Sequence, residues 1–301
     1  MEGDYLFCGW RVRSALPLPE LPVWDGQGDT AVDLEIVAGP VPPPQDGEPW
    51  LTVTADGAVR VCVPDVVRMV IEGGRRITVE PLGTEQAAGW RLFLLGVGLA
   101  AFCHQRGVLP LHAASLTING RTLALLGASG AGKSTLAFAL ARRGHTLLSD
   151  DLSVLTSGVT LRPAYPRLKL WRDSLDAMGQ PLTGLPRVRD GLDKFDLQPQ
   201  TFDTAPRPLD RLVLLKTGDS VTCEAVSPAA AVPLLLSHVS RPSVGRRLGR
   251  QGEMFSAAVR LAQQVPMVRL VRPFDFSRME EVVRLVEAVA DGTLPGPAAG
   301  D

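Results

Sequence analysis

The sequence predicts an α/β protein, with a small β-rich N-terminal module over residues 1–85 and a larger α/β domain over residues 86–301. Three observations support this fold class. The first part contains β-branched runs such as LTVTADGAVRVCV, separated by Asp-Gly and Gly-Gly pairs that favour tight turns. The stretch 85–106 is apolar nearly all round and is typical of a buried helix. Beyond residue 109, strand-like and helix-like segments alternate.

The composition is that of an ordinary globular chain, and it argues against several classes of protein. Of the 301 residues, 45% are hydrophobic and 21% are charged, so the chain can bury a core and is not expected to be disordered. The formal net charge is −1, which provides no basic field to attract nucleic acid or an anionic membrane. We therefore expect neither nucleic acid nor a membrane among its partners.

The cysteines and the apolar segments indicate a cytoplasmic protein. Cys8, Cys62, Cys103 and Cys223 lie far apart and form no Cys-x-x-Cys pair, so neither a disulfide framework nor a zinc site is expected. The N-terminal residues lack the basic-then-apolar order of a signal peptide. The longest uncharged apolar run, 92–103, is too short to span a bilayer.

A pair of apolar segments around Asn119-Gly120 predicts a β-hairpin. LHAASLTI precedes the pair and RTLALL follows it. Asn-Gly is a strong hairpin signal because both residues of its two-residue turn adopt positive φ. Such a turn fixes the register, and counting back along it places His112 opposite Gly127. We therefore expect His112 at the end of the second strand, beside whatever follows it.

The next segment contains a complete phosphate-binding motif. GASGAGKS over 127–134 matches the pattern G-x-x-x-x-G-K-[S/T] of the P-loop (Walker A) and lies between a predicted strand and a predicted helix, as this motif requires. Its backbone N–H groups and the helix N-terminus favour bound phosphate. Lys133 is expected to reach the β- and γ-phosphates of ATP, and the Ser134 hydroxyl to bind Mg²⁺. The predicted nucleotide-binding residues are Gly127, Ala128, Ser129, Gly130, Ala131, Gly132, Lys133, Ser134 and Thr135.

An acidic pair comes directly after the P-loop helix. A short apolar strand ends in Ser149, Asp150 and Asp151, and a carboxylate at the end of a strand beside a P-loop commonly helps to hold Mg²⁺. Two adjacent aspartates also allow two roles. One can bind the metal, while the other, with its pKa raised by its neighbour, accepts a proton from an attacking hydroxyl. The competing interpretation is an exposed acidic turn.

Together, His112, GASGAGKS and SDD (149–151) resemble the HPr kinase/phosphorylase superfamily, and more closely the shorter HPr-kinase-related proteins. The resemblance is specific over about 107–155 and weaker over 164–179. It implies a P-loop kinase core of the HPr kinase type that uses ATP and Mg²⁺. In this family the residues matching His112 and Asp150 act at the attacking hydroxyl. Asp151 would then bind Mg²⁺, although the order of the two aspartates is left open.

Some HPr-kinase-related proteins accompany lasso-peptide biosynthesis, where they phosphorylate the C-terminal residue of the precursor peptide, and this sequence resembles that group. It lacks the E-[IV]-R-G-L-G motif that HPr kinases carry after the acids, since RLKLWRDSL stands in that region. The expected acceptor is therefore a precursor peptide or small protein other than HPr. The alternatives are a small-molecule kinase and a sensor that binds ATP without transferring it. Homo-oligomer formation is left open.

Four basic residues outside the motifs are candidate contacts for phosphate or peptide: Arg167, Lys169, Lys194 and Arg247. Arg167 and Lys169 alternate along a predicted strand and would share a face. Arg247 belongs to a basic segment, RPSVGRRLGR (241–250), which we expect to be a loop that is disordered without ligand. For all four residues the competing interpretation is a solvated surface charge.

Overall fold

In the computed structural model, the chain is described over residues 3–26, 31–83, 89–156, 159–189 and 191–293. Within these ranges it forms a seven-stranded sheet, a six-stranded sheet and two smaller sheets, with helices packed against them. The predicted α/β fold class, with its β-rich N-terminal module, is confirmed. None of the helices in the described ranges has both the length and the apolar character needed to cross a membrane.

The N-terminal module is the seven-stranded sheet. Its strand order is β1-β2-β3-β7-β6-β5-β4, which leaves β4 at one edge. Alternate residues of the central strands are buried, as expected of a sheet with one face on a core. The strands are β1 (Gly3–Phe7), β2 (Trp10–Ser14), β3 (Leu34–Ala38), β4 (Leu51–Val53), β5 (Val59–Val63), β6 (Val67–Glu72) and β7 (Arg76–Pro81).

A buried helix covers this sheet. It starts with α1 (Gly89–Phe93), continues through a π-helical segment at Leu94–Gly98 and ends with α2 (Leu99–Gln105). The helix was predicted over 85–106, of which 85–88 lie outside the described residues. Its apolar side chains share one core with the sheet. The domain boundary predicted after residue 85 stays a prediction. The helix that follows this boundary packs on the strands that precede it.

The rest of the chain alternates strands and helices. Its first half contains β8 (Leu109–Leu111), β9 (Ala114–Ile118), β10 (Arg121–Leu126), α3 (Lys133–Arg142), β11 (Thr146–Ser149), β12 (Ser153–Thr156), β13 (Thr160–Arg162), β14 (Leu168–Trp171), α4 (Arg172–Ala177) and β15 (Lys194–Leu197). Its second half contains β16 (Arg207–Pro208), β17 (Arg211–Thr217), β18 (Thr222–Val226), α5 (Pro228–Ser237), α6 (Pro242–Arg247), α7 (Gln251–Gln264), β19 (Met267–Arg272) and α8 (Met279–Ala290).

The predicted hairpin is formed by β9 and β10. Asn119 and Gly120 have φ angles of 49° and 79°, as the two-residue turn requires. The paired register ends at Ala114 opposite Leu125. β8, just before the hairpin, belongs instead to a four-stranded sheet with the order β16-β13-β12-β8. His112 therefore lies where the chain passes from one sheet to the other, two residues before the last residue pair of the hairpin.

The six-stranded sheet has the order β11-β9-β10-β17-β19-β18, and β10, β17 and β19 run parallel. The carboxyl ends of parallel strands meet at one edge, which is where ligands bind in such sheets. Both faces are covered: Leu123 and Leu125 pack with α3 and α8, while Ala124 and Leu126 pack with α5 and α7. Burial on both faces explains why β10 is apolar almost throughout.

The expectation of a disordered loop over 241–250 is wrong. This segment forms α6 and leads directly into α7. Val244 anchors α6, because its side chain is buried in the core of the N-terminal module. The basic residues of the segment are thus held on an ordered helix rather than on a loop.

We expect Phe102→Ala to lower the free energy of unfolding by about 3–5 kcal/mol, because it removes a large side chain from a packed core. Phe102 is fully buried, with its ring centroid 5.1 Å from that of Trp10 and 6.4 Å from that of Phe7. Urea denaturation followed by circular dichroism measures the change. Phe255→Ala is the matched control, since Phe255 is 52% exposed and should cost about 0.5 kcal/mol or less. Equal losses in the two variants would contradict the proposed core.

Candidate active site

The loop over 127–132 joins β10 to α3 at the edge where the parallel strands end. Gly130 and Gly132 have φ angles of 82° and 85°, in the left-handed region that favours glycine. Gly132 is also confined by its surroundings, because a Cβ added there would collide with the guanidinium group of Arg272. The glycines of the motif are thus required by the shape of the loop.

Lys133, the lysine of the motif, folds back over the loop. Its Nζ donates to the carbonyl oxygens of Gly127 at 2.8 Å and Ala128 at 3.2 Å. Burial lowers the pKa of Lys133, while the charges of Asp151 and Asp150 act in the opposite direction. The ammonium group is therefore held at the loop, where it can interact with a bound phosphate.

Asp150 is buried against the P-loop helix. Its Oδ1 accepts a hydrogen bond of 3.0 Å from the Ser134 hydroxyl, and its Oδ2 accepts one of 3.3 Å from the backbone N–H of Lys169. Burial, reinforced by the charge of Asp151, raises the pKa of Asp150. A hydroxyl and a carboxylate are hard oxygen donors that suit Mg²⁺, which in nucleotide sites uses few protein ligands and completes its shell with phosphate and water. Ser134 and Asp150 therefore fit a nucleotide-bound Mg²⁺.

Histidine, cysteine, aspartate and glutamate side chains do not form a three-ligand metal cluster anywhere in the described part of the chain.

Asp151 faces a different group of residues. It has a φ of 67°, forms an ion pair with Lys169, and its carbonyl oxygen lies 3.1 Å from Nδ1 of His112. A carbonyl oxygen can only accept, so Nδ1 of His112 carries the proton and Nε2 of the neutral ring has a free lone pair. Burial, together with the charge of Lys133, lowers the pKa of His112 and favours this neutral form. Nε2 of His112 is thus a candidate proton acceptor.

The two aspartates differ in their contacts, while their predicted roles stay a prediction. Ser134 contacts Asp150 and not Asp151, whereas Asp151 is the aspartate beside His112 and Lys169. The contact with Ser134 suits Asp150 to Mg²⁺, whereas its pKa, raised by burial and by the charge of Asp151, suits it to accept a proton. Against the effect of burial, the charge and the hydrogen bond of Lys169 lower the pKa of Asp151.

Two cavities meet at His112 and Ser129, which line both. We call the first, of about 310 Å³, the P-loop cleft. It is lined by residues of the motif, Asp151, Lys169, Lys194 and the aromatic side chains of Trp171, Phe274 and Phe276. We call the second, of about 850 Å³, the second cavity. Its walls come from Gly127, Ala128, the end of β17, the segment 237–243 and the region of Trp50.

The four basic candidates are found in three different places. Lys169 and Lys194 line the P-loop cleft, with Nζ of Lys194 lying 5.5 Å from the centre of the Trp171 ring. Arg247 lines the second cavity. Arg167 is buried outside both cavities, where its guanidinium pairs with Asp196. The expected shared strand face with Lys169 is wrong, because β14 begins after Arg167. Its role as a phosphate or peptide contact stays a prediction, since Arg167 and Asp196 line a further cavity of about 370 Å³.

One residue that the sequence did not indicate is Arg272, at the end of β19. Its Nη2 donates to the carbonyl oxygen of Ala131 at 2.9 Å, although the two residues are 141 positions apart. Its side chain is buried, and its guanidinium lies 5.4 Å from the ring centre of Phe274. Only its position at the carboxyl end of a strand parallel to β10 could have indicated it. Arg272 braces the P-loop from the end of β19, which lies two strands away from β10 in the sheet.

Comparison with known proteins carries no argument about the family or function of this chain. No family model matches the chain, and no curated protein matches it. A solved structure, the Hpr(Ser) kinase/phosphatase from Coxiella burnetii, aligns with 61% of this chain and 94% of its own at 13% identity, with a TM-score of 0.30. The function proposed below rests on the geometry of the site.

We expect Arg272→Gln to weaken binding of Mg²⁺-ADP about 10-fold, because a charged hydrogen bond that shapes the P-loop is lost. Isothermal titration calorimetry measures the dissociation constant. Arg269→Gln on the same strand is the control, since Arg269 pairs with Glu224 at the surface, away from the P-loop. An unchanged affinity in Arg272→Gln would show that the P-loop keeps its shape without this contact.

Proposed function

We propose that this protein is a kinase that transfers the γ-phosphoryl group of ATP to a hydroxyl group of a small protein or ribosomal precursor peptide, specifically the C-terminal residue of a lasso-peptide precursor. The observation that carries the proposal is the meeting of two cavities at His112, beside Asp151. A P-loop on one side can present a phosphoryl group, and the other side leaves room for an acceptor. A protein that only senses ATP needs no second cavity at this point.

The donor side consists of the motif and its supports. Backbone N–H groups of 128–134 and the Lys133 ammonium would hold the phosphates, with Arg272 keeping the loop in shape. Ser134 and Asp150 would hold Mg²⁺, which when bound neutralises the phosphate charge that develops during transfer. The exposed aromatic side chains of Trp171 and Phe274 offer apolar surface for the adenine ring of ATP.

The acceptor side supplies a base. The attacking hydroxyl would lie beside His112 and Asp151, where Nε2 of the neutral imidazole accepts its proton as the oxygen attacks phosphorus. Lys169, paired with Asp151, limits the repulsion between that carboxylate and the phosphates. The chain thus provides positioning and proton acceptance, which are the main requirements of phosphoryl transfer.

The breadth of the second cavity favours a peptide over a small metabolite. At about 850 Å³ it is more than twice as large as the P-loop cleft of about 310 Å³. Binding sites for small metabolites enclose most of the ligand, whereas this cavity is broad and continues to the N-terminal module at Trp50. An extended segment of polypeptide suits this shape.

The reaction is tested by mass spectrometry of a serine-ended precursor peptide incubated with the protein, ATP and Mg²⁺. We expect a gain of one phosphoryl group on the terminal residue, absent with Lys133→Ala. ADP formation without peptide modification would retain the kinase and reject the peptide. If neither ADP nor phosphorylated peptide is formed, a nucleotide sensor is favoured.

We expect His112→Ala to lower kcat roughly 100-fold or more while the affinity for ATP is kept, because the variant removes a proton acceptor and leaves the phosphate site intact. Steady-state kinetics together with calorimetric titration of ATP separate the two effects. Unchanged turnover would remove His112 from the mechanism.

The two aspartates are distinguished by their asparagine variants. We expect Asp150→Asn to weaken Mg²⁺-dependent nucleotide binding, because it removes a charged oxygen next to Ser134. Asp151→Asn should instead lower kcat with little change in nucleotide affinity. Titration of ADP with and without Mg²⁺, alongside the kinetics, measures both; the reverse pattern would restore the order implied by the family resemblance.

A further inference from the structure

Several basic side chains line the second cavity, and its lining contains no acidic side chain. Lys216, at the end of β17, and Arg241 and Arg247, at the two ends of α6, contribute the charges, and its lining contains neither Asp nor Glu. The P-loop cleft differs, because Asp151 and Asp173 lie there among the lysines. The second cavity therefore favours an anionic occupant.

These cations are not neutralised by the fold. Across the described ranges, no carboxylate forms an ion pair with Lys216, Arg241 or Arg247, whereas many other arginines are paired, for example Arg143 with Glu280 and Glu287. Arg247 donates only to the carbonyl oxygen of Leu51, at 3.4 Å. Their charges are available to a bound group.

Arg241 is held in an unfavourable backbone conformation. Its φ is 50°, in the left-handed region that non-glycine residues seldom adopt. Its guanidinium lies 5.5 Å from the ring centre of Trp50, which comes just before β4 and is 44% exposed. Such strain is commonly found at ligand-binding positions, and here it places an arginine between α6 and the N-terminal module.

The cationic wall is connected to the candidate base. The backbone N–H of His112 donates to the carbonyl oxygen of His238 at 2.7 Å, and His238 begins the stretch that leads to Arg241 along the cavity. The position of an anion bound by α6 is therefore fixed relative to His112.

We propose that the second cavity binds a carboxylate of the acceptor peptide close to the hydroxyl that is phosphorylated, through Arg241, Arg247 and Lys216, and that the N-terminal module contributes Trp50 to this site. The inference rests on the proposed function and deepens it. Arginine matches a carboxylate with two parallel N–H donors, and the aromatic ring beside Arg241 covers the peptide backbone. The carboxylate can be the chain terminus or a neighbouring acidic side chain.

Equilibrium binding tests the inference without phosphoryl transfer. A short neutral synthetic peptide ending in serine is titrated into the full chain with Mg²⁺-ADP present. Three forms are compared: the free acid, the C-terminal amide, and an amide with aspartate directly after the serine. The same titrations are made on Arg241→Gln, Arg247→Gln and Trp50→Ala. Arg246→Gln is the matched control, because Arg246 is an exposed neighbour on α6 that does not line the cavity.

We expect the free acid to bind at least about 10-fold more tightly than the amide, and Arg241→Gln and Arg247→Gln to lose this preference. Trp50→Ala should weaken binding of the acid, and Arg246→Gln should behave as the unaltered chain. The affinity for ADP should be the same in all variants. If the aspartate-containing amide binds tightly, a side-chain carboxylate is sufficient for binding at this site. If it binds weakly, the bound carboxylate is that of the chain terminus.

Equal or undetectable binding of all three peptides would overturn the inference, as would an equal loss in Arg246→Gln and Arg247→Gln. The proposed function fails separately. A peptide that binds with the expected preference but gains no phosphoryl group from ATP leaves the carboxylate site in place and rejects the kinase. Phosphorylation of acid and amide at equal rates with equal affinities keeps the kinase and rejects the carboxylate site.

Discussion

The hydrogen bond from Ser134 to Asp150 connects the first turn of α3 to the end of β11, and the rest of the site is arranged around it. A buried carboxylate is unfavourable unless charged or polar groups compensate for its lost hydration. Asp150 accepts hydrogen bonds from one hydroxyl and one backbone N–H, which lower its pKa. Burial and the charge of Asp151 outweigh them, so the pKa of Asp150 is raised. The cation of Lys169 pairs with Asp151 instead. A Mg²⁺ ion bound together with a nucleotide would supply the positive charge that Asp150 lacks.

The two cavities that meet at His112 differ in charge, and this difference distinguishes a donor side from an acceptor side in the proposed reaction. The P-loop cleft combines acids with lysines, as a metal and a polyphosphate together require, while the second cavity contains cations alone. Phosphoryl transfer brings an anionic donor close to its acceptor, and fixed positive groups reduce the resulting repulsion without reorganising. An acceptor that carries its own carboxylate gains most from such an arrangement.

The parts of the site that are contiguous in sequence could be predicted, because local geometry determines them. The glycine pattern fixes the P-loop, and the Asn-Gly turn brings His112 to its edge. The directions in which the side chains of Asp150 and Asp151 point could not be predicted, since the register of β11 shifts between Leu147 and Ser149 and Asp151 has a positive φ. Side-chain alternation fails at such irregularities. Arg272 and Trp50 reach the site only through tertiary packing, which no spacing in the sequence encodes.

The N-terminal module gains a function from the way α6 is anchored. Val244 is buried in the core that the module shares with α2, while Arg241 and Arg247 on either side of it face the second cavity. Packed interiors deform little, so the position of these cations depends on the core of the module. No strand residue of the module is among the residues that line the P-loop cleft. In the proposed reaction its contribution would be to the acceptor, because Trp50 and Leu51 of the module form one wall of the second cavity.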